Sequence, residues 1–369
     1  MKILFIGSRL FDDVYFYLKE TNIYGILTES NKDALNLDLA DEYHIVSRGM
    51  DEPIKIAIEN EVDAVVPLIG IDTPLLDVAI MKEKLEKEHN IPVIASNSDV
   101  IKITSDKIKT KEFFKDNSIL TPSFKVITKN DLNDSSFNFP LVLKQSEGQG
   151  GKDIEVSKNL ESLSEYLNKF EIGLSEEFIE GSEISVEVLG YKGDYVPLTP
   201  IYKGETSLEG VHPLNKIKYG PFTSEHIKNN EIQEIALKIA KLLGADGISE
   251  IDFIFSSKNL KLYAIEVNNR PNGTRYLTSA TCGINTLLKL IDMARGEFSS
   301  ENIKKELKEF SACEIPIGTF NGEKPNEPLK SFKNNDYIVH GPEEYERITL
   351  RSDNLENLKF LIKKLKLEK

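Results

Sequence analysis

The chain has 369 residues, of which 40% are hydrophobic and 29% charged, and its formal net charge is −14. This length allows about two or three domains with cores of their own, and no apolar run approaches the roughly 20 residues of a membrane-spanning helix. The negative charge argues against nonspecific binding to nucleic acid or anionic lipid, so we predict neither partner. Only two cysteines occur, Cys282 and Cys313, which suits a reducing, cytoplasmic location.

The first hundred residues alternate apolar runs with helical stretches. Continuous apolar strands separated by helices predict an open, mainly parallel α/β sheet that is covered on both faces. The turn after the first strand begins at Gly7 and lacks the three-glycine pattern of dinucleotide-binding folds, which argues against a nicotinamide or flavin site. The predicted strands are Lys2–Ile6, Ile23–Leu27, Tyr43–Val46, Ala64–Leu68 and Ile91–Ala95, and the predicted helices are Asp51–Glu59 and Asp72–Lys87.

From Ser105 onward the pattern changes to strands that mostly follow one another, which predicts antiparallel sheet. A lysine-rich helix is predicted at Asp106–Asn117, and later strands include Glu183–Leu189 and Tyr195–Tyr202. We therefore predict a Rossmann-like domain over residues 1–104 and an α+β domain over residues 105–300. Residues 301–369 are predicted to form a small C-terminal α+β unit.

A glycine-rich loop follows the predicted strand Leu141–Lys144. Gly148, Gly150 and Gly151 would let the backbone approach a polyphosphate, while Lys144 and Lys152 would offset its charge. The string is not a Walker A loop. The alternative interpretation is an ordinary hairpin.

Two predicted strands place acidic side chains near each other. Side chains alternate faces along a strand, so Glu266 and Asn268 share one face, and Asp252 on a neighbouring strand can join them. Two carboxylates and an amide oxygen form an all-oxygen site suited to Mg²⁺. Arg270, further along, would direct a fork of donors at phosphoryl or carboxylate oxygens. A solvated polar face on an antiparallel sheet is the alternative interpretation.

The order of these segments resembles the ATP-grasp superfamily over roughly residues 1–300. Residues 266–284, EVNNRPNGTRYLTSATCGI, are most similar to the carbamoyl-phosphate synthetase large-chain branch. Within that branch the chain resembles the single-module amino-acid ligases, among them the lysine-joining ligase of pyrrolysine biosynthesis. The resemblance implies an N-terminal parallel-sheet (pre-ATP-grasp) domain, followed by two antiparallel lobes, at about residues 120–175 and 176–300, that enclose ATP.

The resemblance also implies how ATP and its metal are held. Lys107 and Lys144 would contact the phosphates, and Glu183 would hold the ribose hydroxyls. The adenine would lie against a hinge, where backbone groups of Glu177 and Ile179 read its edge. The complete set implied for ATP is Lys107, Lys144, Gly148, Gly150, Gly151, Glu176, Glu177, Phe178, Ile179 and Glu183. The metal ligands would be Asp252, Glu266 and Asn268, for Mg²⁺ or alternatively Mn²⁺.

The implied reaction is attack of a substrate carboxylate on the γ-phosphate, followed by displacement of phosphate by an amine. Arg270 would steady the acyl phosphate, with Lys144 as the second catalytic residue. A bicarbonate-using carboxylase and a non-catalytic nucleotide-binding regulatory protein are the alternatives. Only one grasp module is present, which argues against carbamoyl phosphate as the product. A homodimer through the N-terminal domain is a further family-level expectation.

Substrate specificity is expected from the stretch Tyr202–Glu225, which lies where this family builds part of its substrate wall. Glu205 or Glu209 could receive an amino group, and Arg275 a carboxylate. A plain surface loop explains the same residues. His212 lies near the expected site, although we expect a structural role for it.

Overall fold

The N-terminal part of the protein is a parallel sheet covered by helices. The computed structural model describes residues 1–134, 137–148, 150–209, 215–320, 330–333, 336–342 and 344–368. The sheet has the strand order β3-β2-β1-β4, and every pair in it is parallel. Its elements are β1 (Lys2–Ile6), α1 (Tyr15–Glu20), β2 (Tyr24–Glu29), β3 (Glu42–Ile45), α2 (Asp51–Glu59), β4 (Ala64–Pro67), α3 (Leu75–His89) and α4 (Ser98–Thr104).

The predicted fifth strand of this sheet is wrong. Residues 91–95 form only an isolated parallel bridge, between Val93 and Val65. Pro92 has no backbone N–H to donate, and its carbonyl instead accepts from the N–H of Val65 at 2.9 Å. The segment therefore lies beside β4 without extending the ladder.

A small antiparallel sheet follows, with the strand order β5-β8-β6-β7. One helix precedes it and another packs on it through buried residues that include Leu163 and Leu167. The elements are α5 (Lys107–Asp116), β5 (Phe124–Thr128), β6 (Leu141–Lys144), β7 (Glu155–Ser157), α6 (Leu160–Phe170) and β8 (Ile172–Glu177).

The rest of the chain forms a nine-stranded sheet and its helices. The strand order is β14-β13-β9-β11-β12-β15-β17-β16, and β10 also pairs with β9. The elements are β9 (Gly181–Tyr191), β10 (Asp194–Pro197), β11 (Ile201–Glu205), β12 (Lys218–Gly220), α7 (Asn229–Leu243), β13 (Gly247–Ser256), β14 (Leu262–Asn268), α8 (Arg275–Cys282), α9 (Thr286–Ala294), α10 (Ser300–Glu306), β15 (Ser311–Gly318), β16 (Tyr337–His340), β17 (Glu346–Ser352) and α11 (Leu355–Lys364).

The predicted change from a parallel to an antiparallel architecture is confirmed. Two details differ from the sequence-based expectation. The predicted strand Tyr195–Tyr202 is split into β10 and β11, since Pro197 and Pro200 interrupt the ladder. Strand β15 pairs with β12, so the strands beyond residue 300 continue the large sheet. The domain division at residues 104 and 300 stays a prediction.

Helix α7 packs against the large sheet through one apolar face. Its buried residues Ile232, Ala236, Ile239 and Ala240 recur at helical spacing and form one apolar stripe against the sheet. The helix ends at Gly244, whose φ of +69° is the left-handed conformation that glycine adopts without strain. This stripe positions β9 and β13, which carry the site.

One hydrophobic core joins the N-terminal sheet to the large sheet. It contains Phe5 and Leu68 from the first sheet, Leu189 from β9 and Leu287 from α9, all of them buried. The N-terminal sheet is thereby packed against β9 and α9. No helix among the described residues combines the length and the apolar character that crossing a membrane requires.

Candidate active site

The predicted acidic side chains meet on the paired strands β13 and β14. Asp252 lies directly opposite Glu266, and Glu250 lies opposite Asn268. The amide of Asn268 donates to Glu266 Oε1 at 3.3 Å, and its Oδ1 accepts from the Nη2 of Arg270, also at 3.3 Å. Arg270 in turn donates through Nε to Asp72 of the N-terminal domain. The structure therefore brings the predicted metal ligands and Arg270 together.

A lysine that sequence reasoning missed lies at the centre of these acids. Lys203, on β11, donates to both carboxylate oxygens of Asp252 at 2.8 Å, and its Nζ is 3.6 Å from Glu250. The one hint of Lys203 in the sequence is that it lies within Tyr202–Glu225, the stretch predicted to build the substrate wall. Its charge offsets part of the repulsion between Glu250, Asp252 and Glu266.

The two facing carboxyls titrate in opposite directions. Burial, together with the charges of Glu250 and Glu266, raises the pKa of Asp252 to about 7 in spite of Lys203. Burial would also raise the pKa of Glu266, but Lys107, Lys144 and Lys203 together lower it to about 2. Glu266 is therefore the carboxyl that ionises first.

A second cluster of charged side chains connects Lys144, on β6, to β8, the strand that leads into the predicted hinge. Lys144 Nζ lies 3.0 Å from one carboxylate oxygen of the buried Glu176, and Lys111 Nζ lies 3.0 Å from the other. Burial favours the neutral acid, but the two lysines hold the pKa of Glu176 below its usual range. Lys111 was missed by sequence reasoning, although it lies one helical turn after Lys107 on the same face of α5. Burial lowers the pKa of Lys111 to about 8.

The glycine-rich loop lies against the start of α5. Lys107 Nζ donates to the carbonyl oxygen of Gly148 at 2.5 Å, and the backbone N–H of Lys107 donates to Ser146 at 2.7 Å. Gly148, Gly150 and Gly151 have φ values of +115°, +69° and +79°, a conformation that side chains rarely adopt. Gln149 lies outside the described residues. The loop is thus placed beside the lysine predicted to contact phosphates.

The predicted hinge joins the small sheet to the large one, since it covers the last two residues of β8 and the residues that lead from there to β9. Glu177 is exposed, its N–H donates to Ser123 O at 2.8 Å, and Ile179 is buried. Phe178 lies between them, partly buried. Gly181 begins β9 with φ +157°, and a Cβ there would meet the carbonyl oxygen of Phe255 at 2.0 Å. Only glycine therefore allows the chain to pass so close to β13.

Three of the remaining predicted residues already have protein partners. Glu183 forms an ion pair with Lys216 at 2.6 Å, and Glu205 accepts from Ser182 and Tyr202 at 2.7 and 2.9 Å. Arg275 Nη2 pairs with Asp13 Oδ2 at 2.8 Å. Glu209 is exposed at the edge of residues 210–214, which include His212 and lie outside the described part. The substrate roles of Arg275, Glu205 and Glu209 stay predictions.

Glu187 is another acid that sequence reasoning missed. It is buried on β9, next to the acidic cluster, and accepts from Thr278 Oγ1 at 2.8 Å. Burial raises its pKa to about 7, and the charge of Glu250 adds to the effect. No sequence signal marked it, because its neighbours come from strands and helices far away in the chain.

The raised pKa of Glu187 predicts a dependence of stability on pH. A carboxyl whose pKa is raised on folding costs nothing below about pH 4.5 and destabilises increasingly as the pH rises to about 7. Between pH 5 and 8 we expect the wild type to lose about 3 kcal/mol more unfolding free energy than the Glu187→Gln variant. Urea unfolding across this range measures the difference. The exposed Glu234→Gln serves as control, and equal pH slopes for the wild type and Glu187→Gln would contradict the assignment.

Comparisons with known proteins agree on this architecture. A family model described as ATP-grasp domain matches residues 104–274. A carbamoyl-phosphate synthase from Methanobrevibacter smithii is 59% identical over 97% of this chain and 98% of its own length. The biotin carboxylase of Campylobacter jejuni, in a beta-gamma-ATP complex, is similar in structure, with a TM-score of 0.76, 19% identity, and 98% and 90% of the two chains covered. An L-amino acid ligase from Bacillus licheniformis gives a TM-score of 0.76 at 18% identity, covering 100% and 97%.

Proposed function

Because this chain belongs to the ATP-grasp family of ligases, we propose that it joins a small carboxylic or amino acid to an amine at the expense of ATP. In the first step a carboxylate oxygen bonds to the γ-phosphorus and the bond to ADP breaks, which gives an acyl phosphate. In the second step the amine nitrogen bonds to the acyl carbon, phosphate leaves, and the nitrogen loses a proton. The observation that supports this best is the set of Lys107, Lys144 and Lys203 facing Asp252 and Glu266.

The donor set fits Mg²⁺. Among the described residues no group of three or more His, Cys, Asp or Glu side chains is arranged to hold a metal ion. Two carboxylates and the amide oxygen of Asn268 nevertheless suffice, because Mg²⁺ usually binds through one or two carboxylates together with substrate phosphates. Asp252, Glu266 and Asn268 would hold it, and Mn²⁺ suits the same oxygens. When bound, the metal would neutralise charge on the phosphates.

The chain's own groups would position ATP and the transferred phosphoryl group. We assign the phosphates to Lys107, Lys144 and the glycine-rich loop, the adenine to the hinge, and the ribose to Glu183. Arg270 would hold the acyl phosphate, since Asp72 fixes its guanidinium from the other side. Catalysis of this kind depends on positioning and on offsetting charge, because the reaction needs little covalent chemistry from the protein.

One observation favours a second candidate function, with bicarbonate as the carboxylate. The relative at 59% identity is named a carbamoyl-phosphate synthase. A purely regulatory role is less well supported, because Lys144, Asp252, Glu266, Asn268 and Arg270 are all present. The predicted homodimer and cytoplasmic location stay predictions.

The test is ADP release with Mg²⁺-ATP against amino acids, singly and in pairs, and against bicarbonate with and without ammonia. We expect one carboxylate–amine pair to stimulate ADP release far more than either member alone, with the amide product seen by mass spectrometry. Stimulation by bicarbonate alone or with ammonia would establish the second candidate. ATP binding without ADP release under every condition would contradict both.

A further inference from the structure

A cavity of about 630 Å³ lies between the N-terminal sheet and the segment that follows β14. One side is formed by residues at or just beyond the carboxyl ends of β1, β2 and β4, among them Gly7, Thr28 and Leu68. The other side includes residues 271–273, which follow Arg270 directly. Ligands of open α/β sheets bind in the crevice outside the carboxyl ends of the strands, so this is a place where a small molecule is expected.

Arginines dominate the charge of this cavity. Only seven of the chain's 46 basic residues Lys and Arg are arginines, yet Arg9, Arg48, Arg275 and Arg347 all line it. No lysine is among the described residues that line it. A planar guanidinium matches the two oxygens of a carboxylate or phosphate better than an ammonium does. The lining is therefore rich in groups that can bind an anion, within a protein whose net charge is −14.

The acids of the lining do not cancel this charge. The carboxylate of Glu29 accepts from the backbone N–H groups of Ser8, Ser30 and Asn31 at 2.7 to 3.1 Å. These bonds lower its pKa although burial opposes them. Asp77 is the other acid of the lining and is exposed. The negative charge of Glu29 is thus compensated by backbone N–H groups of the turns that follow β1 and β2.

Three of the arginines have N–H groups that no described protein group accepts from, so these donors are available to a ligand. Arg9 and Arg48 are exposed, and their guanidinium groups form no hydrogen bond or ion pair within the described part of the chain. Arg347 is only 7% exposed and bonds through Nη1 to Glu314 at 3.1 Å and to Gly273 O at 3.4 Å. Its buried Nε has no partner among the described residues. A buried donor left unpaired is destabilising, and a bound anion would supply the missing acceptor.

We propose that this cavity binds one of the two substrates of the ligase through an anionic group remote from the reacting atoms. The anion is a carboxylate or a phosphate, held by Arg9 and Arg48 at the mouth and by Arg347 from β17. The other end of the molecule then reaches Arg270, which directly precedes the lining residue Pro271. Arg275, held by Asp13, shapes the wall between them. This inference rests on the proposed function.

Matched pairs of compounds test the charge requirement. The panel pairs L-glutamate with L-glutamine, L-aspartate with L-asparagine, and O-phosphoserine with serine, each with Mg²⁺-ATP and the other members as partners. We expect an anionic member to exceed its neutral counterpart at least about tenfold in kcat/KM for ADP release. Preference for the phosphorylated compound would identify phosphate as the anion, and preference for a dicarboxylic acid would identify a carboxylate.

Variants of Arg9 and Arg48 test whether these residues hold the anion. Arg9→Gln and Arg48→Gln should each raise the KM of that substrate about tenfold with little change in kcat, because the lost contact is made equally before and during reaction. Lys84→Gln, an exposed charge on α3 outside the cavity, should change neither. Arg347 is left intact, since its loss would remove a partner of the buried Glu314.

A binding measurement without turnover separates the two proposals. Calorimetric titration with L-glutamate and with inorganic phosphate, in the absence of ATP, should show an affinity that Arg9→Gln weakens about tenfold. If no compound stimulates ADP release but this loss of affinity is seen, the ligase proposal fails and the cavity assignment stands. If neutral compounds serve equally well and the arginine variants match the wild type, the cavity assignment is overturned and the ligase proposal stands.

Discussion

Replacing Glu266 with Gln is expected to lower kcat by about 10³-fold or more while the fold survives. The pKa of Glu266, on β14, is lowered to about 2, so this carboxyl supplies a full negative charge at neutral pH. The amide keeps the shape and the hydrogen bond to Asn268 but removes that charge from the predicted metal site. A metal that polarises a phosphoryl oxygen supplies several kcal/mol, and about 4 kcal/mol corresponds to this loss in rate.

The measurement is ADP release at saturating Mg²⁺-ATP, together with circular dichroism and thermal unfolding of the variant. Glu301→Gln removes an equal charge from an exposed ion pair with Lys304 and should leave turnover unchanged. Turnover of Glu266→Gln within a few fold of the wild type would show that the metal is held elsewhere. Loss of the folded state would instead assign Glu266 a structural role.

The parts of the site that sequence analysis found are those encoded by local patterns. Glu266, Asn268 and Arg270 follow one another at the period of a strand, so their common location could be predicted without knowing which strand lies beside them. Lys203 and Glu187 could not be found this way. Their importance depends on β9 lying between β11 and β13, and on the register of those pairs.

The N-terminal sheet shows the same limit of prediction from local patterns. Alternating strands and helices predicted a parallel sheet, which the structure confirms. The arginine-lined cavity was not foreseen, because it needs Arg347 from β17 to lie near Arg9 and Arg48, more than 290 residues earlier in the chain. Long-range assembly of this kind leaves no trace in spacing or composition.

Replacing Lys203 with Met is expected to destabilise the protein by about 3 kcal/mol at pH 8, near the lower end of the range for breaking a buried ion pair. Met keeps the length of the side chain but leaves Asp252, Glu250 and Glu266 facing one another without the central charge. The pKa of Asp252, already raised to about 7, should rise further. The penalty is therefore largest above that pH and should shrink as the pH falls toward 5 and Asp252 takes up a proton.

Urea unfolding at pH 5 and pH 8, with and without MgCl₂, measures these effects. A divalent cation should partly replace the lost lysine, so Mg²⁺ should stabilise Lys203→Met more than the wild type. Lys125→Met is the matched control. Lys125 also contacts two carboxylates, Asp131 and Asp134, but it lies half-exposed, so its replacement should change the stability little. Wild-type stability of Lys203→Met at pH 8, with no added effect of Mg²⁺, would mean that these acids do not share one site.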